Sequence, residues 1–117
     1  MSTIESKTIE HDGFTVTIEM VEDIDTTPFE SGGYHQSDIE AWRNDEWHYV
    51  GFIYTASREG VDLGEASIWG TEWNFPGGTM DGIDSWVAED YYHPDLVAEA
   101  INDARATIKR LTASQAL

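Results

Sequence analysis

"EWHYVGFIYTASREGVDLGEASIWGTEW", residues 46–73, decides the fold. From Trp47 to Ala56 the run is rich in β-branched and aromatic residues, the types that fit a pleated, packed surface. Glu59-Gly60 falls where a turn belongs, and Val61 to Trp69 or beyond returns as the partner strand. In the first strand Trp47, Tyr49 and Ile53 fall on one face, and Val50, Phe52 and Tyr54 on the other. Both faces are apolar. Such a strand is either central and covered on both sides, or it leaves one aromatic face open to a partner.

Toward the N-terminus, "TIESKTIEHDGFTVTIEMVE" (residues 3–22) predicts a β-hairpin. Asp12-Gly13 suits a two-residue type I′ turn, and Phe14, Val16, Ile18 and Met20 alternate with Thr15, Thr17 and Glu19. That turn pairs Ile9 with Val16 and sets Lys7 opposite Ile18, which makes the first strand an edge. Residues 23–36 read as loop, broken by Pro28 and Gly32-Gly33. Ser37 and Glu40 have capping-box spacing, with Asp38 at the positive end of the helix dipole. A short helix near Asp38 to Asn44 follows, docking through Ile39 and Trp42.

Toward the C-terminus, "TEWNFPGGTMDGIDSWVAEDYYH" (residues 71–93) is irregular, with Pro76, Gly77, Gly78 and Gly82, and a short strand is expected at Asp84 to Ala88. Residues 93–117 predict an amphipathic helix. Pro94 sits in the first turn, Arg105, Lys109 and Arg110 trail, and Leu96, Val97, Ala100, Ile101, Ala104, Ile108 and Leu111 form one stripe. The expected fold is α+β, in a single domain spanning residues 1–117. It is a two-layer sandwich with an antiparallel sheet of four or five strands, ββαββ(β)α, and the C-terminal helix packed on it.

Charge narrows the function. The net charge is −17, and 21 of the 23 acidic residues lie in residues 1–95 beside three of the six basic ones. The acid therefore belongs to the body and is not a disordered tail. With six Lys and Arg in all, the chain is poorly equipped to bind DNA, RNA or an anionic membrane directly. Forty per cent hydrophobic residues and five Trp argue for a packed core. The absence of Cys excludes disulfides and thiolate chemistry. The longest apolar run, "YVGFIY", is far below a membrane span, and "MSTIESKTIEHDG" lacks a signal-peptide pattern, so a soluble cytoplasmic protein is expected.

Spread over the roughly 6,400 Å² expected for this mass, the net charge averages about one per 380 Å². Duplex DNA carries about one per 110 Å². Imitation of a nucleic acid therefore requires the acids to gather on about a third of the surface.

The expected partner-binding acids are Glu19, Glu22, Asp23, Asp25, Glu40, Asp45, Glu46, Asp62, Glu65 and Glu72, on strand faces and loops. A solvated surface, for solubility or salt adaptation, is the alternative role. The expected aromatic anchors are Trp73, Phe75, Trp86, Tyr91 and Tyr92, against the ordinary role of such rings in core or rim packing. His11, His35, His48 and His93 have no metal-ligand spacing, and "DIDTTPFESG" and "DGIDSW" fail the calcium-loop pattern. No nucleophile elbow and no Gly-Lys phosphate loop is present. No catalytic residue, metal or cofactor is expected.

The run from Trp42 to Gly51, "WRNDEWHYVG", with "ASIWG" at 66–70 and the closing Ala-rich helix, resembles small acidic proteins of unassigned function encoded by actinobacterial phages and mobile elements. The resemblance implies a genomic setting in which such proteins include inhibitors of host or defence proteins, some of them nucleic-acid mimics. The leading expectation is a non-enzymatic module that binds a basic protein, with a homodimer open. The alternative is a domain whose acidity serves solubility, with a small-molecule or carbohydrate site in residues 71–93.

Overall fold

A computed structural model describes residues 3–30 and 32–115. Four strands, β1 (Thr3–His11), β2 (Phe14–Glu22), β3 (His48–Arg58) and β4 (Val61–Trp73), form one antiparallel sheet in the order β1-β2-β3-β4. Three helices, α1 (Gln36–Arg43), α2 (Ile83–Glu89) and α3 (His93–Gln115), complete it. The α+β class and the C-terminal helix on the sheet are as the sequence predicts.

The hairpin turns set the register. Asp12 and Gly13 have φ of 51° and 80°, and Glu59 and Gly60 have 53° and 78°, the left-handed pairs a type I′ turn needs. Ile9 consequently faces Val16, and Lys7 faces Ile18. The pleat then turns Phe14, Val16, Ile18 and Met20 of β2, with Val50, Phe52, Tyr54 and Ala56 of β3, to one side, all fully buried. Leu96, Val97, Ala100, Ile101 and Ala104 of α3 cover them. Contact is close at Gly64, where a Cβ would collide with the Ala100 carbonyl and the Ala104 amide. Asp103 of α3 also accepts the backbone N–H of Glu65 at 3.0 Å, which occupies a donor on edge strand β4. From Lys109 to Ala113 the helix is exposed, Leu111 included, so the predicted apolar stripe outlasts its cover.

Two expectations are corrected. Residues expected as a fifth strand form α2: Ile83, Trp86 and Val87 are spaced for one helical face, and Ile83 and Trp86 are buried. Its start is held from a distance, as the Glu5 carboxylate of β1 accepts the Ile83 N–H at 2.7 Å and the Ser85 hydroxyl accepts the N–H of Asp81. Helix α1 begins at Gln36, one residue before the expected cap at Ser37, and Asp38 rather than Glu40 reaches back, accepting the His35 N–H at 3.3 Å.

The second face of the sheet is hydroxyl-rich. Thr8, Thr17 and Thr55 lie side by side across three strands and end at Glu65, and the next row runs Ser6, Glu19, Ile53, Ser67. At one end this face is closed: the Trp69 ring lies over Gly51, where a Cβ would overlap it. Beyond it Trp47, Tyr49, Tyr34 and Phe75 form a second aromatic cluster, and the Trp47 indole N–H donates to the Asp38 carbonyl at 2.8 Å. The aromatic stretch of this face is therefore covered, and the stretch left partly open carries Ile53, Thr55 and Ser57. No helix among the described residues is long and apolar enough to cross a membrane.

Candidate functional site

Charge is segregated along a molecule measuring 61 × 25 × 23 Å. The two hairpin turns lie together at one end, where the Arg58 Nε–H donates to the Gly13 carbonyl at 3.2 Å and Arg105 pairs with Asp12 at 3.7 Å. Lys109 and Arg110 follow one helical turn later, so four of the six basic residues occupy that end. At the other end lie α1, the segment before it and residues 74–92. Among the described residues only Asp12 and Asp84 form ion pairs with Arg or Lys, Asp84 with Lys7 at 2.9 Å.

Two hollows open at the acidic end. The first, of about 400 Å³, is lined by Glu22, Asp23, Asp45, Trp42, Arg43, His48 and Tyr49 among others. Asp23 is its structural member. It is the one buried charged residue among those described, and its carboxylate accepts the Thr26 hydroxyl at 2.7 Å, the Gly70 N–H at 2.9 Å and the Asp25 N–H at 3.2 Å. These bonds tie the loop after β2 to β4, so buried Asp23 has a structural role in place of the expected exposed one: three of its roughly four acceptor sites are used within the fold. Arg43 lies over the Phe29 ring, 5.1 Å from its centroid, and gives this hollow a cation of its own.

The second hollow, of about 240 Å³, lies where β4 ends against the α2–α3 corner, lined by Thr71, Glu72, Met80, Trp86, Glu89, Tyr91 and Tyr92. Asp90, at φ 55°, ends α2 in the left-handed region, and Tyr91 and Tyr92 follow at 74% and 47% exposure. Their rings meet edge to face, with centroids 4.6 Å apart. Trp86 is 6% exposed, stacked on Phe52 at 4.2 Å and near-parallel to Tyr92 at 5.9 Å. The expectation of Trp86 as a free anchor is corrected accordingly: it belongs to the core and lends the hollow only its margin.

Two hydrogen-bond chains stiffen the surroundings. The Trp86 indole N–H donates to the Tyr54 oxygen at 2.9 Å, and Tyr54 stands 2.8 Å from Nδ1 of His93. An indole only donates, so the Tyr54 hydrogen is satisfied by donation to a neutral Nδ1. Burial pushes the Tyr54 hydroxyl up to about 12 and holds the His93 imidazole below its ordinary value. Tyr49 O–H donates to the Tyr34 oxygen, and Tyr34 in turn donates to the Glu72 carboxylate. Burial and the bond to Glu72 raise the Tyr34 pKa, so the phenol stays protonated.

Of the other expected acids, Glu22 and Asp45 meet in the first hollow, with Asp25, Glu40 and Glu46 exposed in the same part of the chain. Glu19 lies on the hydroxyl face and accepts the Thr3 hydroxyl at 2.6 Å. Asp62 and Glu65 stand apart on β4, toward the hairpin turns. Of the aromatics, Trp73 is half-buried with its indole N–H donated to the Asp81 carbonyl at 3.0 Å, and Phe75 packs on Tyr34 and Trp47. Tyr91 and Tyr92 remain as open rings. Sequence reasoning missed Glu89, Met80 and Tyr34. Only Glu89, one residue before the Asp90-Tyr91-Tyr92 run, carried a local signal. Among the described residues no three His, Asp or Glu groups are arranged to hold a metal.

Compared with known proteins, the chain matches no family model, no curated protein and no solved structure. Fold and site therefore define a class by geometry alone: a four-stranded α+β sandwich with an acidic, aromatic end and a helical end where Arg and Lys balance the acids of the hairpin turns.

Proposed function

We propose that the protein is a non-enzymatic binding module whose acidic end engages a basic protein. The observation that carries this is the state of its carboxylates: apart from Asp12 and Asp84, none among the described residues has a Lys or Arg partner within the molecule. Like charges held together repel and destabilise a fold, and a basic partner offsets that repulsion while being steered toward it.

A nucleic-acid mimic is the sharper form of the proposal. Supporting it, the molecule is a rod 25 × 23 Å in section, near the ~20 Å width of a duplex. The gathering of acids supports it further: residues 22–46, at the acidic end, carry eight Asp and Glu beside the single base Arg43. In the phage setting that the resemblance implies, the partner is a nucleic-acid-binding host or defence protein.

The test is a pull-down with the tagged chain at ~0.1 M and ~0.5 M salt. The expected result is a basic, nucleic-acid-binding protein held at low salt and released at high salt. Replacing Glu22, Asp25 and Asp45 with Lys should abolish retention with the fold intact. Capture that ignores both salt and charge reversal would defeat the proposal. A second reading, a small-ligand site within residues 71–93, is favoured by the hollow at the α2–α3 corner.

A further inference from the structure

We infer that the hollow at the α2–α3 corner binds an organic ammonium group, an alkylated nitrogen cation carried by a free amine such as choline or by a methylated lysine side chain. This rests on the reading of residues 71–93 as a ligand site and names what the site takes.

The lining combines two features that such a cation needs together. Tyr91 and Tyr92 stand at 87° to one another and supply adjoining aromatic walls, with the margin of Trp86 and the Met80 side chain beside them. Aromatic faces are negative, and they attract an alkylated cation more readily than a bare ion because little hydration is lost. Glu72 and Glu89 add full negative charge, and no Lys, Arg or His lines the space. The first hollow lacks this character, since Arg43 occupies its wall.

Both carboxylates are also held in place. Glu89 accepts the Thr79 hydroxyl at 2.6 Å, and Glu72 accepts that of Tyr34. Trp86 is clamped between Phe52 and Tyr92, so part of the wall is formed before any ligand arrives, which lowers the ordering cost of binding. The volume of about 240 Å³ is below the ~300–1,000 Å³ of sites for drug-sized ligands and suits a head group. An anion is repelled there. A neutral sugar would stack on the rings and leave the charge of Glu72 and Glu89 uncompensated.

The experiment is a calorimetric titration of the full chain, with no protein partner present. The ligands are tetramethylammonium, choline and a short neutral peptide bearing trimethyl-lysine, each at one fixed ionic strength. The controls are the uncharged tert-butyl analogue of choline and glucose. Saturable binding of the cations is expected, with the uncharged analogue at least about tenfold weaker. Tyr91→Ala, at a side chain exposed enough to leave the fold unchanged, should weaken the cations about two- to fivefold, and Tyr91→Phe should not. Glu89→Gln should weaken them as well. Tighter binding of the peptide than of choline assigns the site to a protein-borne cation, and the reverse order assigns it to a free amine.

Glucose or the uncharged analogue binding as well as the cations would keep a ligand site and overturn the ammonium assignment. Saturation by none of the ligands would overturn both. Cation binding unchanged in Tyr91→Ala and Glu89→Gln would place it elsewhere on the acidic surface and also overturn the inference.

Discussion

On one face of β3, Val50, Phe52, Tyr54 and Ala56 are sealed beneath α2 and α3. On the other, Gly51 lies under one ring, Trp69 at 43% exposure, and Ile53 and Thr55 stand among Thr and Ser side chains. The two faces have the same backbone, register and twist and differ in their side chains and in what covers them. A helix covers with backbone and cannot yield locally; a ring covers with one side chain and can swing aside.

The largest test of this contrast is Trp86→Ala. It removes the ring stacked on Phe52 and the donor to Tyr54, and should cost about 3–5 kcal/mol in urea unfolding. A loss below about 1 kcal/mol would mean that the sealed face does not hold the molecule together. Next is a matched pair of glycines. Gly64→Ala sets a methyl against the backbone of α3 and should cost about 1–3 kcal/mol, whereas Gly51→Ala meets the Trp69 side chain first and should cost less. The opposite order would make the ring, not the helix, the rigid cover.

A smaller effect concerns His93, whose imidazole burial keeps below its ordinary 6.5. The unfolded chain takes up that proton near pH 6.5 while the folded chain does not. The contribution is therefore complete above 6.5 and is lost as pH falls through the folded value. Protonation of the many carboxylates relieves repulsion and acts in the opposite sense. The readout is accordingly a difference: the Tm advantage of the unaltered chain over His93→Gln should be constant above ~6.5 and shrink below it. An advantage independent of pH would place the imidazole in solvent. The smallest effect is expected on the hydroxyl face, where Thr17→Val should change stability by no more than about 0.5 kcal/mol.

Legibility followed the range of the interactions. Asp12-Gly13 determines a register within its own hairpin, so the pairing of Ile9 with Val16 could be read from adjacent residues. The partner of α2 could not: Glu5 stands 78 positions from the Ile83 amide it caps, and Gly82 with Pro76 to Gly78 made the segment look broken. The candidate site divides the same way. Tyr91 and Tyr92 were legible as exposed rings beside an acidic run, because they fall in an irregular Gly-rich stretch just before the closing helix. That Trp86 would be buried depended on Phe52 and Tyr54 arriving from another strand, and that Asp23 would be consumed by Gly70 depended on a loop closing onto β4.

The sheet order β1-β2-β3-β4 has a consequence for how the chain reaches this state. Every strand pairs with its neighbour in sequence, two of the three pairings across two-residue turns, so the sheet can assemble from local events. Its cover, α3, follows all four strands in the chain. Until that helix docks, the rows from Phe14 to Met20 and from Val50 to Ala56 face water, the condition in which half-made sheets adhere to one another. A net charge of −17 holds such intermediates apart. The same acidity that covers the folded surface thus opposes adhesion between half-made sheets.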